Sequence, residues 1–239
     1  MEGVDLSYQR SNFLEISVIS EIRQKIEEID SRCKGQVGED VVNERIKQLA
    51  YSKLLTQVYG KDNSYLVKAY TELGISYLDI KYCQQSREHL LTALKLNDTK
   101  YMEDSSKETK EIQIRILLNL AEGYLEEDKL YLKKEKNEEK DRKKLEEEEN
   151  ERYRKIDTAI QIAEKCLIMN QKMYGKDHIS NADIYKILAK GNKKLGKYKD
   201  ARECYQHMFD IYTPIYENST ELAAKLYTKI GKTYYFENK

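Results

Sequence analysis

Apolar residues recur every three or four positions along most of this chain, the spacing that lines one face of a helix. From about Ser11 to Cys33 the series is Phe13, Ile16, Ile19, Ile22, Ile26 and Ile29. Ser11 is placed to cap that helix, and Lys34-Gly35-Gln36-Val37-Gly38 to end it. A second helix is predicted over about Asp40 to Tyr59. Next, Tyr70, Leu73, Gly74 and Tyr77 fall at i, i+3, i+4 and i+7, and a further amphipathic run carries Ser86, Leu90 and Ala93. The stretch from Asn97 to Lys107 is rich in Asn, Asp and Ser and predicts a loop.

The pattern repeats itself. Tyr185, Leu188, Ala189, Ala201, Tyr205 and Met208 stand 115 residues after Tyr70, Leu73, Gly74, Ser86, Leu90 and Ala93, with Asn192 in the place of Tyr77. Tyr227, Ile230, Gly231 and Tyr234 follow 42 residues later as a first helix without its hairpin partner. A fourth copy reads Leu117, Leu120, Ala121 and Tyr124, its second helix carrying Ala159, Ala163 and Cys166. The small residues in this frame mark where two helices approach closely. Gly74 and Gly231 are therefore both expected at close helix contacts, where a large side chain would overpack the hairpin.

These residues match the tetratricopeptide (TPR) template W-x2-L-G-x2-Y followed by A-x3-F, with Tyr70 in the Trp place and Ser86 in the first Ala place. The 42-residue spacing and the starts Tyr59-Gly60-Lys61-Asp62 and Tyr174-Gly175-Lys176-Asp177-His178 resemble the kinesin-light-chain type of this repeat, over about residues 40 to 239. The resemblance implies an all-α, right-handed TPR solenoid of antiparallel helical hairpins. It divides the chain into a degenerate N-terminal helical hairpin, 1–58, and a TPR array, 59–239, with a charged helical insertion at 129–155.

That insertion is the main departure from the repeat. Tyr124 and Ala159 stand 35 residues apart, whereas Tyr77 and Ser86 stand 9 apart. From Lys133 to Lys155 the sequence mixes both signs, with Glu138 and Arg142, Glu139 and Lys143, and Glu148 and Arg152 spaced as favourable i, i+4 pairs. Each such pair contributes about 0.2 to 0.5 kcal/mol. The expectation is an outward-projecting, coiled-coil-like helical arm at a hairpin tip.

Composition narrows the function. The 42 basic and 42 acidic residues cancel, so the chain lacks the basic excess of nucleic-acid-binding domains. Its N-terminus has no basic region followed by an apolar run, and no apolar stretch nears the roughly 20 residues that cross a bilayer. The reading is a soluble cytoplasmic protein. Cys33, Cys83, Cys166 and Cys204 are far apart and suit neither a disulfide framework nor a Cys-x-x-Cys metal pair.

Little catalytic chemistry is visible. The Gly-Lys pairs at Gly60-Lys61 and Gly175-Lys176 lack the upstream Gly and following Ser or Thr of a phosphate loop, and read as repeat turns. His89, His178 and His207 are scattered, with no ligand spacing, so no metal or cofactor is assigned. Tyr70, Tyr77, Tyr185, Tyr205 and Tyr227 occupy repeat-core places and are read as packing residues rather than a stacking platform for single-stranded nucleic acid. No nucleophile signature accompanies a Ser, His and Asp set, so the chain is read as a non-enzyme.

One charge pattern is more specific. Lys186, Lys190, Lys193 and Lys197 lie at i, i+4, i+7 and i+11, opposite the Leu188 stripe, and Lys225, Lys229 and Lys232 repeat the pattern in the last helix. In the TPR fold the first helices line the concave groove. The resemblance therefore makes Lys186, Lys190, Lys193, Lys225 and Lys232 the candidate protein-binding strip, receiving an acidic segment such as a tubulin tail. Asp183 stands where the carboxylate-clamp groove of chaperone-binding relatives would carry a Lys.

The family resemblance implies a scaffold within a larger hetero-complex. Charged arms and irregular repeats are similar to those of ciliary TPR proteins, including the repeat-protein 23 family, which implies a structural subunit of the ciliary axoneme or cytoskeleton. The alternative is a soluble cargo or signalling adaptor that binds short acidic peptides.

Overall fold

The computed structural model of the 239-residue chain describes residues 6–59, 64–103, 106–135, 142–215 and 220–237, with side chains described over 17–57, 64–98, 106–127, 146–215 and 221–237. The described residues form nine helices and no strands: α1 (Leu6–Cys33), α2 (Glu39–Tyr59), α3 (Ser64–Asp79), α4 (Cys83–Glu103), α5 (Lys107–Glu135), α6 (Arg142–Tyr174), α7 (Ser180–Lys194), α8 (Tyr198–Tyr212) and α9 (Thr220–Glu237). The fold is all-α. Packing divides the chain into two compact units, Met1–Glu103 and Asp104–Lys239.

In the first unit each helix packs on the next in sequence. Ile19, Ile22 and Ile26 of α1 close over Leu55 of α2, with Tyr51 and Tyr65 against them. Ile29 and Cys33 meet Val41, and Val42 and Leu49 meet Ala69 and Leu73 of α3. The three-to-four spacing of α1 is thus its buried face; Phe13 and Ile16 lie outside the described side chains. Beneath this apolar layer Arg45 of α2 is almost wholly buried, its guanidinium 2.6 Å from Asp30, 2.8 Å from the Gln48 amide oxygen and 3.6 Å from Glu72. Gln48 in turn donates to the Ile26 carbonyl.

The hairpins fall where the repeats place them: α3 on α4, α5 on α6 and α7 on α8, with the first helices α5 and α7 also touching. Two hairpin turns share one device. After α7, Gly196 takes a positive φ of 73°, and the Gly196 and Lys197 amides bond back to the Lys193 and Asn192 carbonyls. This six-residue lock returns the chain sharply and satisfies carbonyls at the helix end. Lys81 stands 115 residues earlier and does the same work at φ 68°, its amide and that of Tyr82 bonding to Leu78 and Tyr77.

The predicted loop from Asn97 to Lys107 is shorter than expected. Helix α4 continues to Glu103, and the next helix begins at Lys107. Asn97 extends the buried stripe of Ser86, Leu90 and Ala93, so burial outweighs the turn preference of Asn and Asp. Ser106 instead caps α5, its Oγ accepting the Thr109 amide at 3.3 Å.

The described part of the charged insertion is helical and belongs to α5 and α6. It lengthens both members of one hairpin, α5 running on to Glu135 and α6 starting at Arg142, so that α6 has 33 residues and a length of about 50 Å. The pairs of Glu138 with Arg142 and Glu139 with Lys143 lie outside the described side chains. At its root Lys155 bonds to Glu127 at 3.0 Å, next to the fully buried Ile156. Deleting residues 135–152 keeps that root, and loop closure at a hairpin tip costs little. The deletion is expected to unfold at the same temperature as the full chain, by circular dichroism, within a few degrees. A collapse of helicity would instead show that the insertion packs back on the body.

Candidate protein-interaction site

Helix α7 is held at its start by the Tyr-Gly-Lys-Asp-His turn. His178 stacks on Tyr174 with ring centroids 4.5 Å apart, and its Nδ1 lies 2.7 Å from the Ser180 hydroxyl and 3.3 Å from the Ser180 amide. Buried Asn181 donates to the Gly175 and Lys176 carbonyls, and Asn170 donates to Asn181. Tyr174 donates to Glu111, which raises the phenol above its ordinary value, and Lys107 lies 4.4 Å over the Tyr174 ring. His178 is therefore a structural part of the turn.

The other two histidines also sit against repeat tyrosines. His89 lies between Tyr70 and Tyr77, at 6.0 and 5.4 Å, and burial pushes its imidazole below the usual value. His207 stacks on Tyr185 at 4.8 Å. Burial likewise drives the Cys166 thiol up to about 12 and the Cys204 thiol up to about 11, so neither supplies a thiolate near neutral pH.

Between α7, α8 and α9 lies a cleft of about 520 Å³. Met208, Leu222 and Leu226 supply apolar lining, and Lys186, Lys225, Lys229 and Lys232 supply four cations against Asp183 and Glu221. Lys186 and Lys232 have no ion-pair partner among the described residues. Among the described residues Lys225 bonds only across its own helix, to Glu221 at 2.5 Å, and both side chains are exposed. Lys229 is the inner cation: it reaches over the Tyr205 ring at 5.7 Å, and its amine is pushed below the ordinary value first by burial, then by the charges of Lys186 and Lys190.

Of the five lysines selected from sequence, Lys186, Lys225 and Lys232 line this cleft. Lys190 and Lys193 have partners inside the unit. Lys190 bonds to Glu122 of α5 at 2.5 Å, and Lys193 lies 5.0 Å over Phe236. Lys229 follows the same sequence stripe but was outside the selected five. Its importance comes from burial among neighbouring cations, which the lysine spacing does not carry.

Two expectations about α9 are corrected. Tyr227 is 59% exposed and not a core residue. A Cβ on Gly231 would meet nothing within 4 Å, so Gly231 is not at a close helix contact, whereas one on Gly74 would lie 2.7 Å from Leu90 Cγ. Helix α9 packs on α8 and buries Leu226 and Thr233, while Gly231 faces open space and Tyr227 lies at the edge of that contact, its ring 5.3 Å from Phe209. At its end Arg202 makes a two-pronged bond to Glu237, at 2.5 and 3.2 Å, and stacks 4.2 Å over Tyr234. Conversely, Gly191 was missed: a Cβ there would lie 2.6 Å from Ile160 Cγ1 of α6. It falls two residues beyond the template's small position, because it serves contact with the preceding hairpin instead of its own.

Among the described residues no helix is long and apolar enough to cross a membrane. No family model and no curated protein sequence matches the chain. Among solved structures, the crystal structure of BtubC (BKLC) from P. vanneervenii is similar, with a TM-score of 0.55 and 15% sequence identity over 94% of this chain and 84% of that one. The likeness is one of fold, an all-helical repeat architecture.

Proposed function

We propose that the chain is a non-catalytic scaffold that binds an acidic segment of a partner protein in the cleft between α7, α8 and α9. The observation that carries this reading is the cleft in which Lys186, Lys225, Lys229 and Lys232 converge, with no ion-pair partner for Lys186 or Lys232 among the described residues. A Glu- or Asp-rich segment would supply the missing charge. Its aliphatic stems would lie along Met208 and Leu226.

Each exposed pair contributes only about 0 to 1 kcal/mol, and its attraction is screened over a Debye length of about 8 Å at physiological salt. Binding is therefore multivalent, weak per contact and steeply salt-dependent. A fluorescent polyglutamate peptide is expected to bind the full chain at low salt. The double variant Lys186→Glu with Lys232→Glu should lose that binding by more than about tenfold with helicity intact, since neither side chain has an internal ion pair. Undiminished binding by the double variant, or indifference to salt, would remove the cleft from the function. Lys190 is the wrong residue for this test, because reversal would also break its bond to Glu122.

The finer reading is a structural subunit of a cytoskeletal hetero-complex, the ciliary axoneme, with a tubulin tail as the acidic segment. It is supported by the repeat type and by the long charged α5–α6 hairpin. The competing reading, a soluble adaptor for short acidic peptides, is supported by the same cleft. Fractionation separates them: a scaffold stays with salt-washed cytoskeleton, and an adaptor washes off.

A further inference from the structure

Of the four lysines that line the α7–α8–α9 cleft, Lys186, Lys225 and Lys232 are exposed and Lys229 is half-buried. Lys225, Lys229 and Lys232 fall at i, i+4 and i+7, which sets them along one side of α9. The Lys229 amine lies 5.7 Å from the centroid of the Tyr205 ring, near the outer limit of about 6 Å for a cation–π contact. Tyr205 is buried and burial pushes its phenol up, so it offers no anion. Of the two carboxylates in the cleft, Glu221 is exposed and bonded to Lys225, and Asp183 is exposed on α7. Among the described residues Lys229 has no ion-pair partner.

Such surroundings act oppositely on the two charged forms of one side chain. Partial burial and neighbouring cations disfavour an ammonium, and the same cations favour an anion in its place. The Lys229 amine accordingly lies below its ordinary value, by burial first and then by the charges of Lys186 and Lys190. More of it is therefore the free base, the form with a lone pair to donate. Lys190 is bonded to Glu122, whereas Lys186 and Lys232 are left to receive an anion that forms in the cleft. The cavity of about 520 Å³ has room for a small added group beside this amine.

We propose that Lys229 is a carbamate site, where carbon dioxide adds to the side-chain amine and the product is held by Lys186 and Lys232. The neutral Nζ attacks the carbon of carbon dioxide, a C–N bond forms, and the π pair of one C=O bond moves onto oxygen. Nζ then loses a proton to water and leaves an N-carboxylate, so no oxidant, reductant or further reactant enters. Residue 229 passes from cation to anion. A neutral acyl cap would only remove charge, whereas a carbamate places an anion among the lysines. The site itself does not depend on a partner. Its consequence, release of the bound segment by carbon dioxide, rests on the acidic-segment reading.

The full chain is incubated with isotopically labelled bicarbonate and carbonic anhydrase, the carbamate is trapped by O-ethylation with triethyloxonium, and the modified lysines are located by mass spectrometry. Trapped carbamate is expected at Lys229 at several times the yield of any other lysine, and Lys229→Arg should lose it. Lys186→Gln with Lys232→Gln should cut the yield at Lys229 severalfold, because the cations that hold the product are gone. Even labelling across the lysines, no label at Lys229, or an unchanged yield in that double variant would overturn the inference. Polyglutamate binding keeps the two readings apart. Bicarbonate should weaken it in wild type more than an equal concentration of chloride does, and Lys229→Arg, whatever its own affinity, should show no such difference. Carbamate at Lys229 in a chain that binds no polyglutamate would sink the acidic-segment reading alone. Polyglutamate binding without carbamate would sink this site alone.

Discussion

Replacing Gly74 with leucine is expected to lower the stability of the first unit by about 2 kcal/mol, within the range for overpacked cores. The first added atom alone would lie 2.7 Å from Leu90 Cγ, 2.9 Å from Leu90 Cδ2 and 3.2 Å from the Ser86 carbonyl oxygen. Leu90 is fully buried and cannot swing aside, and the carbonyl belongs to the backbone of α4. Better helix propensity offsets only about 1 kcal/mol of the strain. The matched control is Gly231→Leu, which has the same repeat position and chemistry but open space around it. It should leave urea unfolding unchanged or raise its midpoint. Equal destabilisation by the two substitutions would show that helix contact is not what separates the positions.

Arg45→Met is expected to have the largest effect, a loss of about 2 to 4 kcal/mol, because it strands carboxylates that a buried cation now serves. Asp30 would keep Lys68 at 2.7 Å, but Glu72 would lose its guanidinium partner. The loss should show as a lower urea midpoint. The network also predicts an acid response. Burial acts to raise the Asp30 carboxyl, but the hydrogen bonds from Lys68 and Arg45, and then their charges, outweigh it and hold it at about 2 against an ordinary 3.8. A carboxyl depressed by folding contributes stability that is whole above its unfolded value and lost as pH falls through its folded one. Wild type should therefore weaken between about pH 4 and pH 2, and Asp30→Asn should flatten that part of the profile. An Arg45→Met protein with the wild-type midpoint would mean that the network contributes nothing to stability.

The local periodicities of this chain carry its secondary structure and its hairpin pairing. Ile19, Ile22, Ile26 and Ile29 are the buried face of α1 as their spacing implies, and the Gly74 and Leu90 pair meets where the repeat frame puts it. Such features are legible because helix period and side-chain size act over a few residues. The end of α4 was less so, since the turn preference of Asn97 and Asp98 gave way to burial supplied by another helix.

The functional surface depended on tertiary structure. The lysine stripe was visible, but Lys190 is bonded to a glutamate 68 residues away and Lys193 is covered by Phe236. Their spacing is identical in kind to that of Lys186, which has no carboxylate partner among the described residues. Gly231 and Gly74 look alike in sequence and differ wholly in surroundings. By itself, the sequence determined which positions can form a helix contact and which side of a helix carries charge, because both follow from the 3.6-residue turn. Only the tertiary structure decided which of those contacts are filled and which charges are already neutralised, because each answer lies with a side chain brought near from a distant part of the chain.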